Sequence, residues 1–240
     1  MIPRLIRMCL QSVALRMVPQ AANQSRRQRI ARCLPLLIAM LCTVAHAGPS
    51  SVHKPEATVL VLGDSLSAEY GLQKGEGWVA LLAQRLQKEH LNYQVVNASI
   101  SGETTAGGRN RIADLLLQHH PAVVVIELGA NDALRGLPLP TTRANLDAIA
   151  QQSMASGAQT LIVGMQVPPN YGQKYNADFA QVFKQSAATH KAGLVPFLLR
   201  GIADAPHAEQ LFQADRIHPL AIAHPQILAN VWPGLHKLLK

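Results

Sequence analysis

The stretch "LVLGDSLSAEYG", residues 60–71, places the charged Asp64 and the hydroxyl-bearing Ser65 directly after an aliphatic run. Val59 to Leu62 are valine or leucine residues bounded by Gly63, a pattern typical of a strand buried on both faces of a sheet. Open α/β folds place their ligands at the carboxyl ends of such strands. Ser65 is therefore either the N-cap of the next segment or a nucleophile on a sharp turn.

Strand-like and helix-like segments alternate along the rest of the chain. The predicted strands cover 58–63, 93–99, 122–129, 159–165 and 193–198, and the predicted helices cover 75–90, 109–119, 141–156, 175–191 and 221–239. This alternation predicts an α/β fold in one domain, 58–240, with a parallel sheet and helices on both faces. The run 122–129 is the most hydrophobic and is expected at the sheet centre. Pro225 and Pro233 predict that the last helix is broken or starts late.

The first 47 residues have the composition of a secretory signal peptide. Seven arginines and no acidic residue precede the apolar run 33–44, which is followed by "AHA" at 45–47. This order predicts cleavage after Ala47 and a periplasmic or secreted protein, with 48–57 as a flexible leader. The apolar run is too short for a stable membrane-spanning helix, so an anchor left in place is the less favoured alternative.

Removing this segment changes what the composition indicates. Taking seven arginines from the 22 basic residues leaves 15 against 14 acidic ones, so the formal charge falls from +8 to +1. A nucleic-acid partner is therefore not expected. All three cysteines lie in the removed segment, which excludes disulfides, a cysteine nucleophile and thiolate metal ligands in the mature chain.

Three loops that follow predicted strands carry different polar groups. Ser65 follows the first strand, Gly102 lies in the Gly, Ser and Thr-rich loop 97–108 after the second, and Asn131 follows the third. These loops are expected to meet at one edge of the sheet. A hydroxyl, an accessible backbone N–H and a carboxamide at one crevice are the parts that an acyl-transfer site needs to stabilise an oxyanion.

A general base for this site is predicted near the carboxyl terminus. In "QADRIHPLA", residues 213–221, Asp215 precedes His218 by three residues, so one turn can direct its carboxylate to the imidazole Nδ1. A local cap or ion pair is the alternative for an isolated pair of this kind. His119 and His120 are expected at a helix end. The remaining histidines are predicted to lie on the surface: His53, His90, His190, His207, His224 and His236.

Four motifs in this order resemble the SGNH (GDSL) hydrolase family. They are GDSLS at 63–67, the glycine-containing loop after the second strand, G-x-N-D at 129–132 and D-x-x-H-P at 215–219. "VVNASISGET", "PPNYGQKYN" and "DRIHP" are similar to the family's periplasmic acyl-CoA thioesterase, arylesterase and lysophospholipase branch. The resemblance covers roughly residues 58–238.

The resemblance implies a flavodoxin-like three-layer α/β/α sandwich around a mainly parallel five-stranded sheet. It also implies a catalytic nucleophile at Ser65, a general base at His218 and an orienting carboxylate at Asp215. The oxyanion hole would consist of the N–H groups of Ser65 and Gly102 and the side chain of Asn131. No metal or cofactor is implied. Two residues depart from the closest branch, since Arg216 replaces a common glycine and Leu220 a polar asparagine.

The expected activity is hydrolysis of medium or long acyl esters and thioesters, including lysophospholipids, by an exported monomer without a stable membrane anchor. A sugar or peptidoglycan O-acetyl esterase is the runner-up, and a non-catalytic exported lipid or glycan carrier is the non-enzymatic alternative. An acyl chain needs an apolar groove, whereas a sugar site favours aromatic and polar residues, and the chain is only 4% aromatic. Candidate groove residues, which ordinary core packing would also explain, are Leu134, Leu137, Leu139, Met165, Val167 and Tyr171.

Overall fold

The computed structural model describes residues 57–239. The predicted signal peptide at 1–47 and all but the last residue of the predicted leader at 48–57 lie outside the described residues. Both remain predictions, as does the domain boundary at residue 58.

The described residues contain five strands, which form one parallel sheet. The strands are Ala57–Gly63 (β1), Tyr93–Asn97 (β2), Val123–Glu127 (β3), Gln159–Val163 (β4) and Gly193–Val195 (β5). Their order is β2-β1-β3-β4-β5, with every neighbouring pair parallel. All five residues of β3 are buried, as expected for a central strand covered on both faces. The predicted central position of this strand is confirmed.

Six α-helices cover the two faces of the sheet within the same residues. They span Trp78–Lys88 (α1), Thr105–His119 (α2), Ala130–Leu134 (α3), Leu139–Ala155 (α4), Gln173–His190 (α5) and His224–His236 (α6). Helix α1 packs against α6, whereas α4 packs against both α2 and α5. The long helices therefore form one layer on each side of the sheet, and the predicted three-layer α/β/α architecture is confirmed.

Helix α2 begins four residues earlier than its sequence predicts. The Thr104 hydroxyl accepts the N–H of Gly107 and caps the helix, so the glycine pair 107–108 is helical instead of belonging to a loop. A Cβ at Gly108 would lie 2.3 Å from a Leu128 methyl carbon. Glycine at this position lets α2 lie close to the end of β3, which outweighs its poor helix propensity.

The late start predicted for the last helix is confirmed. Residues Ala221–Ala223 form a 3₁₀ turn, and α6 begins at His224, with Pro225 in its first turn. Proline is tolerated there because the first N–H groups of a helix have no partner within the helix. Pro233 lies inside α6 without ending it, so of the two predicted alternatives, a broken helix or a late start, the structure has the late start.

The parallel arrangement brings the loops that follow β1 to β4 to one edge of the sheet. Ile100, after β2, donates its N–H to the carbonyl of Gly63 at the end of β1, with an N–O distance of 3.0 Å. Gln213, in the segment after β5, donates its side-chain amide to the Tyr70 carbonyl at 2.9 Å. We call this side of the molecule the carboxyl edge.

Candidate active site

The end of β1 and the following turn position Ser65. Gly63 ends the strand, and a Cβ at that position would lie 2.8 Å from Ser67 Cβ and 2.9 Å from Glu127 Oε2. Only glycine therefore allows the chain to turn this closely over the neighbouring β3. The turn is closed by the N–H groups of Ser67 and Ala68, which donate to the Asp64 carbonyl at 3.2 and 3.0 Å. Ser65 remains half-exposed at the carboxyl edge.

A short turn from Asp215 to His218 brings an imidazole to this serine. Asp215 Oδ1 accepts the N–H groups of Ile217 and His218 at 2.9 and 3.0 Å. Its Oδ2 lies 2.6 Å from His218 Nδ1, and His218 Nε2 lies 2.8 Å from Ser65 Oγ. The structure thus brings together the carboxylate, imidazole and hydroxyl that the sequence predicts, in an order suited to proton transfer from the serine.

The carboxylate of Asp215 stays ionised in this arrangement. Desolvation acts to raise its pKa, but the hydrogen bonds from the His218 side chain and from the N–H groups of His218 and Ile217, with the His218 charge, lower that pKa to about 2. The ring of Tyr70 lies 4.3 Å from the His218 ring and covers it. An ionised acceptor on Nδ1 leaves Nε2 free to accept the serine proton.

Hydrogen-bond donors converge beside Ser65. Within residues 57–239, the N–H groups of Ser65 and Gly102 donate to no protein acceptor. Gly102 has φ of +78°, which favours glycine, and its carbonyl accepts from Arg135 Nη2 at 2.8 Å. Asn131 Nδ2 donates to Asp64 Oδ2 at 3.0 Å, which leaves its second amide proton available. Unpaired N–H groups and an oriented carboxamide can stabilise a developing oxyanion.

Comparison with known proteins agrees with this geometry. The model of the GDSL-like lipase/acylhydrolase family matches residues 61–224. The chain belongs to this family. It is therefore a hydrolase of ester bonds, and the sequence-based identification of the family is confirmed.

Named relatives and a solved structure support the same conclusion. Over 182 residues the chain is 50% identical to Esterase TesA of Pseudomonas aeruginosa, covering 76% of this chain and 89% of the relative. Thioesterase 1/protease 1/lysophospholipase L1 of Escherichia coli K12 is 38% identical over 194 residues, or 81% and 87% of the two chains. A crystal structure of TesA matches with a TM-score of 0.73 at 50% identity, covering 76% of this chain and 99% of that one.

Two buried acids beneath Ser65 were not singled out from the sequence. Burial raises the pKa of Asp64 to about 6, although hydrogen bonds from the Leu66 N–H and the Asn131 amide oppose the rise. Burial, together with the Asp64 charge, raises the pKa of Glu127 well above its usual range and favours its neutral form. An acidic residue at the end of an otherwise aliphatic strand was the available signal, because such a position is buried.

A hydrogen-bonded chain connects Glu127 to the first residue of α1. Glu127 Oε2 accepts from Ser67 Oγ at 2.7 Å, and Ser67 Oγ accepts from Trp78 Nε1 at 3.1 Å. Asn97 Nδ2 donates to the Ser67 carbonyl at 2.8 Å. The turn that carries Ser65 is therefore held from below by side chains on β2, β3 and α1.

His224 is buried, so its predicted surface position is wrong. Its Nδ1 accepts the N–H of Trp78 at 3.0 Å. Desolvation lowers the pKa of His224, although a hydrogen bond with the Pro219 carbonyl opposes the effect. An acceptor Nδ1 requires a neutral ring, which here links the starts of α1 and α6 to the residue after His218. The residues around His224 in the sequence do not indicate this contact, because Trp78 is distant in the chain.

The predicted groove residues occupy different environments. Leu134 and Tyr171 are exposed, and Leu137 and Leu139 are half-buried. Met165 and Val167 belong to the hydrophobic core, which agrees with the alternative of ordinary packing for these two. Leu134 and Tyr171 offer the most surface to a substrate in this conformation, and Leu137 and Leu139 offer less.

Residues 57–239 contain no cluster of three or more histidine, cysteine or acidic residues arranged to hold a metal ion. No helix in that range has the length and hydropathy needed to cross a bilayer.

Proposed function

We propose that this hydrolase works through a covalent acyl-enzyme intermediate on Ser65. The observation that carries this proposal is the continuous contact from Asp215 through His218 to Ser65 Oγ, with donor–acceptor distances of 2.6 and 2.8 Å. A serine is weakly nucleophilic unless a neighbouring base removes its proton, and His218 Nε2 is the group within reach. Ser65, His218 and Asp215 are therefore nucleophile, general base and orienting carboxylate.

In the first half of the reaction, Ser65 Oγ attacks the ester carbonyl carbon while its proton passes to His218 Nε2. The carbonyl oxygen becomes an oxyanion, which the N–H groups of Ser65 and Gly102 and the Asn131 amide stabilise. When the tetrahedral intermediate collapses, the bond to the leaving oxygen or sulfur breaks. His218 donates its proton to that atom, and the acyl group remains on Ser65.

The second half reverses these roles with water. His218 Nε2 accepts a proton from a water molecule, whose oxygen attacks the acyl carbon and forms a second oxyanion in the same hole. Collapse breaks the bond to Ser65 Oγ, which takes the proton back from His218, and the carboxylic acid leaves. Asp215 remains ionised throughout, since its pKa of about 2 lies far below neutral pH.

We propose medium and long acyl esters, acyl thioesters and lysophospholipids as substrates. The relatives described above are named as an esterase and as a thioesterase and lysophospholipase. The exposed Leu134 and Tyr171 supply apolar surface for an acyl chain near the site. Leu137, Met165 and Val167 are proposed to line or support the same groove.

The nucleophile is tested by Ser65→Ala. The matched control is Ser156→Ala, which replaces an exposed serine at the carboxyl end of α4, away from the carboxyl edge. Triad members act as a unit, so the Ser65 variant should lose about 10⁴ to 10⁶ in kcat on a p-nitrophenyl ester. A fluorophosphonate probe should label wild-type protein and the Ser156 variant but not the Ser65 variant. Activity within tenfold of wild type in Ser65→Ala would contradict the proposal.

The substrate class is tested by a series of p-nitrophenyl esters from acetyl to palmitoyl. An apolar groove predicts that kcat/KM rises from acetyl to octanoyl, because each fully buried CH₂ contributes up to about 0.8 kcal/mol. The exposed apolar surface at Leu134 should matter for long chains only, so Leu134→Ala should lower the octanoyl rate more than the acetyl rate. Preference for acetyl, with activity on acetylated glycans, would favour the sugar esterase.

We also propose that the enzyme is exported as a monomer and keeps no membrane anchor. The basic and apolar segments before "AHA" at 45–47 support processing by a signal peptidase. N-terminal sequencing of the exported protein should begin at Gly48, and sedimentation should give a single species of monomer mass. Retention of residues 33–47 on membrane-bound protein would contradict this proposal.

A further inference from the structure

The tip of the loop after β2 carries a proposed oxyanion donor on a glycine. Gly102 has φ of +78° and lies in a turn that the Glu103 N–H closes by donating to the Ile100 carbonyl at 3.1 Å. In the described structure, the N–H of Gly102 donates to no protein acceptor. Because glycine can adopt many other conformations, the direction of this N–H is fixed only if a neighbouring group restrains the turn.

Arg135, in the loop after β3, supplies such a restraint. Its Nη2 donates to the Gly102 carbonyl at 2.8 Å, and within residues 57–239 this carbonyl accepts from no other group. The peptide between Gly102 and Glu103 is therefore held at both of its polar groups, its N–H by the Ile100 carbonyl and its carbonyl by the guanidinium. A charged donor makes this bond stronger than one between neutral groups. Fixing that peptide limits the rotation of Gly102 and so the direction of its N–H.

The other end of the same loop is bonded to a residue close to Arg135 in the chain. The buried Asp132 accepts the N–H of Thr105 on Oδ2 at 2.8 Å and the Thr105 hydroxyl on Oδ1. Thr105 is the first residue of α2, and its hydroxyl oxygen accepts from Asn145 Nδ2 at 3.1 Å. Arg135 and Asp132 therefore hold the segment 102–105 from both ends.

Both of these restraints come from the element that carries the second proposed donor. Helix α3 covers Ala130–Leu134 and includes Asn131 and Asp132, and Arg135 is its C-cap. The Arg135 N–H donates to the Asn131 carbonyl at 3.1 Å, so the backbone joins the two residues directly. One short helix thus presents the Asn131 amide and also holds the loop that presents the Gly102 N–H.

We propose that Arg135 is a positioning residue for the oxyanion hole. Its bond to the Gly102 carbonyl aligns the Gly102 N–H with the Asn131 amide before the substrate binds. Donors that are already in place need no reorganisation when the oxyanion forms, and a misplacement of about 1 Å can lower a rate about 10²-fold. Arg135 touches no reacting atom in this role. The assignment rests on the proposed acyl-enzyme mechanism, because it gives Arg135 a task within that reaction.

The test compares two substitutions of Arg135 on a neutral substrate, p-nitrophenyl octanoate. Arg135→Met removes the donor but keeps a long side chain, and should lower kcat about tenfold with little change in KM. Arg135→Lys keeps a cationic donor and should recover most of this loss. The loss in Arg135→Met should be smaller than in Asn131→Ala, because the Gly102 N–H is still present and only its alignment suffers.

The matched control is Arg143→Met on α4. Arg143 donates to Gln185 and Thr189 side chains on α5 and has no bond to either proposed oxyanion donor, so its loss should leave kcat unchanged. The bond from Arg135 is exposed to solvent and contributes little to global stability. The urea midpoint of Arg135→Met should therefore stay close to that of the wild type, which separates misalignment from partial unfolding.

An octyl trifluoromethyl ketone gives a readout that a purely structural role would not change. Ser65 Oγ bonds to its carbonyl carbon, the serine proton passes to His218, and the carbonyl oxygen becomes an oxyanion in the proposed hole. The corresponding methyl ketone forms no stable adduct and reports binding in the ground state. Arg135→Met should weaken inhibition by the trifluoromethyl ketone about tenfold and leave inhibition by the methyl ketone unchanged.

Substrate charge separates positioning from direct binding of the substrate. Octanoyl-CoA is anionic and p-nitrophenyl octanoate is neutral, so a positioning role predicts the same fold loss in kcat with both. A loss confined to octanoyl-CoA, or seen mainly in KM, would show that the guanidinium binds the leaving group and would overturn the proposal. Unchanged kcat in Arg135→Met, or an equal loss in Arg143→Met, would overturn it as well.

Failure of the underlying mechanism gives a different result. An active Ser65→Ala protein would overturn the acyl-enzyme mechanism and, with it, the task assigned to Arg135. An inactive Ser65→Ala protein together with unchanged kcat in Arg135→Met would overturn the positioning role alone.

Discussion

Asp64 precedes Ser65 in the chain and Asp215 contacts it through His218, and their environments shift the pKa of the carboxyl group in opposite directions. Asp215 is partly exposed and accepts three N–H groups from its own turn, which lower its pKa to about 2. Asp64 is buried and accepts from Leu66 and Asn131, yet burial raises its pKa to about 6. Access to water and the number of donors, rather than residue type, decide which carboxylate carries a permanent charge.

The two aspartates therefore affect stability in opposite ways as pH changes. Asp215 favours the folded state above the unfolded pKa of 3.8, and this contribution is lost as pH falls towards about 2. Asp64 keeps its proton to higher pH in the folded state than in the unfolded chain. Between pH 3.8 and about 6 its contribution to stability falls as pH rises, and the loss is complete above that range.

The largest effect predicted from this comparison is that of Asp215→Asn. An amide would place a donor against His218 Nδ1, which forces the proton onto Nε2 and prevents that atom from accepting the Ser65 proton. We expect kcat to fall about 10⁴-fold with the fold retained. Steady-state kinetics on a p-nitrophenyl ester, with the exposed Asp178→Asn on α5 as control, measure this. A loss below tenfold would mean that Asp215 does not set the imidazole tautomer.

A smaller effect is expected from Asn131→Ala. This change removes the amide that Asp64 orients and that we propose as an oxyanion donor, so kcat should fall about 10² to 10³-fold with little change in KM. The control is Asn230→Ala on α6, which removes amide bonds to the Leu198 and Arg200 carbonyls but no proposed oxyanion donor. If Asn131→Ala mainly raised KM, its amide would instead bind the substrate in the ground state.

The contrast between these regions also separates what the sequence could predict from what it could not. Asp215 and His218 are three residues apart, so one turn decides their contact and the pattern predicts it. The sheet was equally predictable, because runs of valine, leucine and isoleucine mark the strands β1, β3 and β4. Glu127 and His224 depend on partners far along the chain, Ser67 and Trp78, whose positions follow only from the packed fold. Their hydrogen-bond partners were therefore not available from local patterns, although the aliphatic strand before Glu127 did indicate that this residue is buried.

Asp64→Asn tests the raised pKa of the buried Asp64, because it removes the contribution of this group to the pH dependence of stability. The wild type should lose about 2 kcal/mol of unfolding free energy between pH 3.8 and about 6 relative to the variant, since the asparagine has no proton to release. Urea unfolding at several pH values in this range gives the slope of unfolding free energy against pH for wild type and variant. The exposed Asp114→Asn serves as control. The absolute stability of the variant is less informative, because its amide also faces Asn131. Equal slopes in wild type and variant would contradict the raised pKa of Asp64.

The smallest effect is expected from Glu127→Gln, although Glu127 is more deeply buried than Asp215. Burial and the Asp64 charge favour neutral Glu127, so an amide replaces a group of the same charge and shape. Its carbonyl oxygen can still accept from Ser67 Oγ, and its NH₂ takes the place of Oε1, which has no hydrogen-bond partner in the described structure.

We therefore expect kcat within tenfold of wild type and unfolding free energy within about 1 kcal/mol. Glu127→Ala is the reference variant, because it removes the carboxyl group without replacing it by an amide. It should destabilise the fold by about 2 to 3 kcal/mol, because Ser67 loses its acceptor and a cavity forms beneath the nucleophile turn. A loss of 10³-fold or more in kcat for Glu127→Gln, with unchanged stability, would show that the site uses an ionised Glu127. Replacing the carboxylate by an amide would then lower kcat at the buried Glu127 as it does at the exposed Asp215. This result would contradict the difference predicted from the opposite pKa shifts of the two residues.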